Sequence, residues 1–185
     1  SGILSSLHVN AAAFTTTGSG VPAKKWNPDT GHYDEVKDTG SNAGVILVLS
    51  VDNCGLRMAE CAEYREFIEE LTGVPAERVV IHSTHTHTGP FTNSNDNSHF
   101  GDFDKKIIDE YKAFLKQRLA DACLGAIADI KPAKMGVITG WAPERVAYIR
   151  RYKMKDGSTM TCPPINDPNI DHPIGELDQQ VHVLR

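Results

Sequence analysis

The run Val45-Ile46-Leu47-Val48-Leu49-Ser50-Val51 is almost wholly apolar. It predicts a strand covered on both faces, as in a parallel sheet. Beyond Asp52-Asn53 the period changes. Met58, Cys61, Tyr64, Ile68 and Leu71 recur at three- and four-residue steps, while Glu60, Glu63, Arg65, Glu66 and Glu69 face outward. That spacing predicts an amphipathic helix from Arg57 to Thr72, closed by Gly73 and Pro75. Arg78 to His85 reads as the next strand, so the three segments form a β-α-β unit, which should be parallel and right-handed. A second helix is expected from Asp104 to Asp129, with Ile108, Tyr111, Leu115, Leu119, Ala122 and Ala126 as its buried stripe. Weaker patterns predict one strand within Ser1–Phe14, with Ile3, Leu7 and Val9 as its apolar positions, strands at Lys134–Thr139 and Gln180–Leu184, and an alternating segment from Glu144 to Met154. Asp156-Gly157 reads as a turn, and Cys162 to His172 as irregular. Thr15 to Gly44 is polar and rich in glycine, so it reads as a long loop. Its Trp26, His32 and Tyr33 fit a substrate rim and fit a cover over the core equally well. The fold class is α/β, a mixed sheet with a parallel β-α-β unit and helices packed on it, in a single domain over 1–185.

Composition narrows the possible partners. The 185 residues are 40% hydrophobic and 23% charged, with a formal net charge of -5. No basic cluster is available to neutralise phosphates, so nucleic acid is not an expected partner. No apolar run approaches the roughly 20 residues that cross a bilayer, and membrane contact is expected to be peripheral at most. Ser1-Gly2-Ile3-Leu4 lacks the charged start and apolar stretch of a signal peptide. The last strand has barely begun when the chain stops, which suggests a piece of a longer catalytic domain. Cys54, Cys61, Cys123 and Cys162 include no Cys-x-x-Cys pair. Cys61 and Cys123 fall on apolar helix faces and are expected as buried free thiols, although one disulfide is compatible with an oxidising compartment. Asn93, Asn95, Asp96 and Asn97 form a polar cluster without the spacing of a calcium loop.

The candidate chemistry is concentrated in His82-Ser83-Thr84-His85-Thr86-His87-Thr88-Gly89-Pro90. On a strand, His85 and His87 would share one face, and His82 would lie on the other. A His-x-His pair can place imidazole nitrogens on or beside one metal ion. The same pattern also suits a polar strand end with exposed histidines. Asp52 and His85 both fall at the carboxyl ends of parallel strands, where open α/β sheets bind ligands. Nothing in the spacing pairs His8, His32, His99, His172 or His182 with His85. Arg150, taken alone, suits a surface or salt-bridge role.

Thr72-Gly73-Val74-Pro75-Ala76-Glu77-Arg78-Val79, followed by Thr84-His85-Thr86-His87-Thr88-Gly89-Pro90, resembles the N-terminal part of the neutral, non-lysosomal ceramidase family. Thr88 stands where that motif usually has Ser. Tyr148-Ile149-Arg150-Arg151-Tyr152 is similar to a later family segment, with Ile149 where Asn is common. The resemblance is strong from Val45 to Pro90 and patchy beyond. It implies a secreted or periplasmic zinc hydrolase that cleaves the amide of ceramide, a lipid-like substrate, to sphingosine and a fatty acid. It implies further that His85 is a zinc ligand, that His87 lies beside the metal and meets the substrate or attacking water, and that Arg150 contacts the substrate. The family's other zinc ligands, a second His, a Glu and a Tyr, would lie beyond Arg185, on a continuation or a second chain. A non-catalytic relative that binds a lipid or a protein is the alternative. A metallo-β-lactamase-type site would carry an Asp and a further His just after the pair, where Thr88-Gly89-Pro90 stands. An amidohydrolase barrel needs roughly 250 residues.

Overall fold

Two compact units, Ser1–Lys131 and Pro132–Arg185, make up the chain. The computed structural model describes residues 6–16, 24–27, 29–35, 42–90, 92, 102–143 and 146–185. In the first unit the strands are β1 (Val9–Phe14), β2 (Lys24–Asn27), β3 (His32–Glu35), β4 (Ile46–Val51) and β5 (Val79–Ser83), and the helices are α1 (Met58–Thr72) and α2 (Asp102–Ala128). The main sheet runs β1-β4-β5. β4 is antiparallel to β1 and parallel to β5, with Leu47 opposite Val79 and Val51 opposite Ser83. The expected β-α-β unit and mixed sheet are therefore present. β1 starts at Val9, after Leu7, which lies half-exposed before it. Part of the expected loop between Thr15 and Gly44 is a hairpin, in which β2 pairs with β3 and Trp26 lies opposite Tyr33. The Asn93–Asn97 cluster and His99 lie outside the described residues.

β4 departs from the doubly covered strand that its apolar run predicts. Leu47, Leu49 and Val51 are buried, whereas Ile46 is 43% and Val48 39% exposed. The reason is that both helices share one core with a single face of the sheet. Leu47, Leu49 and Val51 join Tyr64, Ile68 and Leu71 of α1 and Leu115, Leu119 and Cys123 of α2 in one cluster. Full burial of one such leucine contributes about 1.5–3 kcal/mol.

The helix α1 forms where its period predicts, but its first turn is rotated from expectation. Met58 is 88% exposed, while Glu60, expected to face outward, is only 8% exposed. Glu60 is drawn inward because it has partners there, among them the Thr92 hydroxyl at 3.4 Å. Its Oε2 accepts the Arg57 backbone N–H at 3.0 Å, satisfying a donor the helix start leaves open, and its Oε1 lies 2.8 Å from the Lys112 ammonium of α2. Gly73 closes the helix at φ 71°, a left-handed conformation that costs glycine little, and its N–H reaches the Glu69 carbonyl. On α2, Ile108, Leu115 and Leu119 are buried as expected, joined by Ala120, Cys123 and Ile127. Burial pushes the Cys123 thiol up to about 12, and burial likewise raises that of Cys61. All four cysteines are free thiols.

The second unit holds β6 (Val137–Trp141), β7 (Arg151–Met154), β8 (Thr159–Thr161), β9 (Ile170–Pro173) and β10 (Gln180–Leu184). β10 pairs with β6, and a separate sheet runs β8-β7-β9. The Asp156-Gly157 turn is present, with Gly157 at φ 85° and the Ser158 N–H on the Asp156 carboxylate at 2.8 Å. Three expectations shift. The strand placed at Lys134–Thr139 lies at Val137–Trp141, where β10 supplies its ladder. Among the described residues of the Glu144–Met154 alternation, only the last four are strand, since β8 and β9 pair with it from Arg151 onward. Ile170–Pro173, within and just beyond the segment expected to be irregular, is a strand because β7 offers it a free edge.

Candidate metal centre

The loops after β4 and β5 leave neighbouring parallel strands at the same end, so Asp52-Asn53-Cys54 and Thr84–Pro90 emerge side by side. The second loop is tied to the first at its root. The Thr84 N–H bonds the Val51 carbonyl at 2.9 Å, and the Thr84 hydroxyl donates to Asp52 Oδ1 at 3.1 Å. The other Asp52 oxygen accepts the His8 backbone N–H at 2.9 Å. These donors favour the charged carboxylate, above all the His8 N–H, and hold Asp52 below its ordinary pKa. Gly89 sits where the turn passes close to that root. A Cβ there would stand 3.3 Å from both the Asp52 carbonyl oxygen and the Thr86 methyl.

His85 and His87 do not lie on the strand, as their alternation predicts. β5 ends at Ser83, and His85 takes a left-handed φ of 63°. For a residue other than glycine this backbone costs of order 1–3 kcal/mol. The turn nevertheless brings the two rings together, edge to face at 87°, with centroids 4.8 Å apart. His85 Nδ1 lies 2.5 Å from the Cys54 carbonyl oxygen. A carbonyl only accepts, so Nδ1 carries the proton and donates, and the lone pair is on Nε2. That Nε2 faces His87 Nε2 at 3.3 Å. Two nitrogen donors on one tetrahedral zinc-sized ion are also about 3.3 Å apart. An imidazole that gives its other N–H to a backbone carbonyl is the usual arrangement of a metal-binding histidine.

Cys54 brings a third donor atom. Its Sγ lies 3.8 Å from His85 Nδ1, and one donor atom from each of Cys54, His85 and His87 can be chosen so that all lie within 4.8 Å. The three residues could hold a metal ion. Cys54 escaped the sequence reading because it is a lone cysteine far from the histidines in the chain. The signal that could have found it is its place two residues past Asp52, at a strand end neighbouring that of the His pair. Asn53, between Asp52 and Cys54, is fully buried, and its side-chain amide has no hydrogen-bond partner among the described residues. Leaving such a group unpaired costs about 1–3 kcal/mol, so stability does not account for this stretch.

The remaining candidates are not part of the Cys54–His85–His87 group. His82 is exposed on β5, opposite Ser50. His8 lies 3.6 Å from Asp52. In the second unit, His172 is 3.1 Å from Asp171, and His182 is 3.0 Å from the Thr139 hydroxyl. Arg150 also belongs to that unit, where it is exposed just before β7 and its carbonyl accepts the Cys162 N–H at 2.7 Å. On the first unit, a cavity of about 990 Å³ adjoins the metal turn. Thr88, Gly89, Pro90 and Asp52 form one wall, and Leu7, Val9, Tyr111, Phe114 and Leu115 give it an apolar lining. No protein-family model, curated protein or solved structure matches the chain.

Proposed function

We propose that this chain carries part of the active site of a zinc-dependent hydrolase of a linear amide bond, with an N-acylated sphingoid base as substrate by its resemblance to the neutral ceramidases. The supporting observation is the facing pair of Nε2 atoms on His85 and His87 at 3.3 Å, with the His85 tautomer set by the Cys54 carbonyl. A zinc ion, when bound, supplies a water with pKa near 7 and polarises the amide carbonyl. His85 holds its lone pair toward that ion. His87 is exposed beside it, where the resemblance places the residue that meets the substrate or the attacking water. The apolar cavity next to the turn suits a substrate with a large non-polar part. The role of Arg150 as a substrate contact rests on the resemblance alone.

The test is release of fatty acid from an N-acyl sphingoid base, dispersed in detergent, by the full-length gene product with zinc. His85→Ala should lower the rate at least about a thousandfold, a loss of about 4 kcal/mol of transition-state stabilisation. A fully active His85→Ala enzyme would refute the assignment. Binding of the lipid without turnover would instead favour a non-catalytic, lipid-binding relative.

A further inference from the structure

We infer that Cys54 is a thiolate ligand and His87 a second imidazole ligand, in place of the position beside the metal that the ceramidase resemblance gives it, so that this chain alone offers one sulfur and two nitrogens to a borderline-soft divalent cation. The inference rests on the metal reading of the His85–His87 pair and extends it. The pair on its own would hold an ion weakly, and the ligands implied by the ceramidase resemblance are all nitrogen and oxygen.

Three observations carry it. First, the group draws on two loops that leave adjacent parallel strands, so its members are fixed by the sheet. Second, the Cys54 backbone is already engaged with the site, because its carbonyl orients the His85 ring. The thiol of the same residue is half-buried and faces the same imidazole at 3.8 Å. Third, one ligand atom from each of Cys54, His85 and His87 can be chosen so that all lie within 4.8 Å of one another, a spacing that modest side-chain adjustment around one ion can close. Binding would release the thiol proton to solvent and form one metal–sulfur and two metal–nitrogen bonds. Thiolate and imidazole together select zinc or cobalt over magnesium and calcium. Three protein donors leave the fourth tetrahedral position open, as hydrolytic zinc requires.

Cobalt(II) titration of the 185-residue chain, with a non-thiol reductant present, tests this without an activity assay. The expected result is one ion per chain, tetrahedral visible absorption, and a sulfur-to-cobalt charge-transfer band in the near ultraviolet. Cys54→Ser should remove that band and weaken binding at least about tenfold, while Cys162→Ser, in the second unit, should change neither. Circular dichroism shows whether each variant is folded, and Cys54→Ala repeats the test with a different replacement. Cobalt binding with no charge-transfer band, at an affinity that Cys54→Ser and Cys54→Ala leave unchanged, would overturn the Cys54 assignment and leave the histidine pair standing. No cobalt binding by the wild-type chain would overturn the Cys54 assignment, while turnover by the His85→Ala variant of the full-length gene product tests the histidine pair separately.

Discussion

Asp52 is the residue on which the geometry of the site depends most. It joins the segment before β1, through the His8 N–H, to the root of the histidine turn, through the Thr84 hydroxyl. Its pKa lies below the ordinary 3.8. A carboxylate whose pKa is depressed on folding contributes stability that is present above the unfolded value and is lost as pH falls through the folded one. The tie should therefore hold at neutral pH and release only below about pH 3.8. The His8 backbone amide shift in NMR should titrate with a midpoint below 3.8, and Asp52→Asn should abolish that titration. A midpoint at or above 3.8 would show that the carboxylate does not engage these donors in solution. The same scale shows what spacing alone could not reveal. His-x-His announced a shared site, but the rings meet through a left-handed turn at His85, and not through a strand pleat. Cys54 carried no local signal at all, because its partners are brought to it by the pairing of β4 with β5.

At the scale of elements, α1 and α2 were legible because each has a long, regular period and an apolar stripe, and β4 because of its apolar run. What the period could not supply was the inward turn of Glu60, which depends on Lys112 in a helix far along the chain. Nor could it place β9, whose ladder exists only because β7 has a free edge. Glu60 ties the two helices and also caps the first. Glu60→Ala removes the Glu60–Lys112 ion pair and the side-chain acceptor of the Arg57 N–H. The cost expected is about 3 kcal/mol, since one side of a buried pair is removed along with a helix cap. Denaturant unfolding followed by helical circular dichroism measures it. Glu63 makes a similar contact with Lys116 but is 61% exposed. Glu63→Ala should therefore cost no more than about 1 kcal/mol. Equal losses in the two variants would mean that the burial of Glu60 does not matter.

At the scale of the whole molecule, all three donors belong to the first unit. An ion that binds only the folded site stabilises that unit by mass action, about 2.7 kcal/mol at a free concentration a hundred times its dissociation constant. Amide hydrogen exchange can locate that gain along the chain. Amides of β4, α1 and α2 that exchange only on unfolding of the first unit should slow about a hundredfold with zinc. In the second unit, the β7–β8–β9 amides should keep their rates, because among the described residues none of the three candidate donors comes from it. Cys54→Ser and His85→Ala should each reduce the slowing in the first unit at a fixed zinc concentration. If zinc slowed every amide of both units equally, the two would be unfolding as one cooperative body, and the site would be stabilising all of it. If zinc slowed none, the arrangement at the ends of β4 and β5 would have no metal to explain the left-handed backbone of His85.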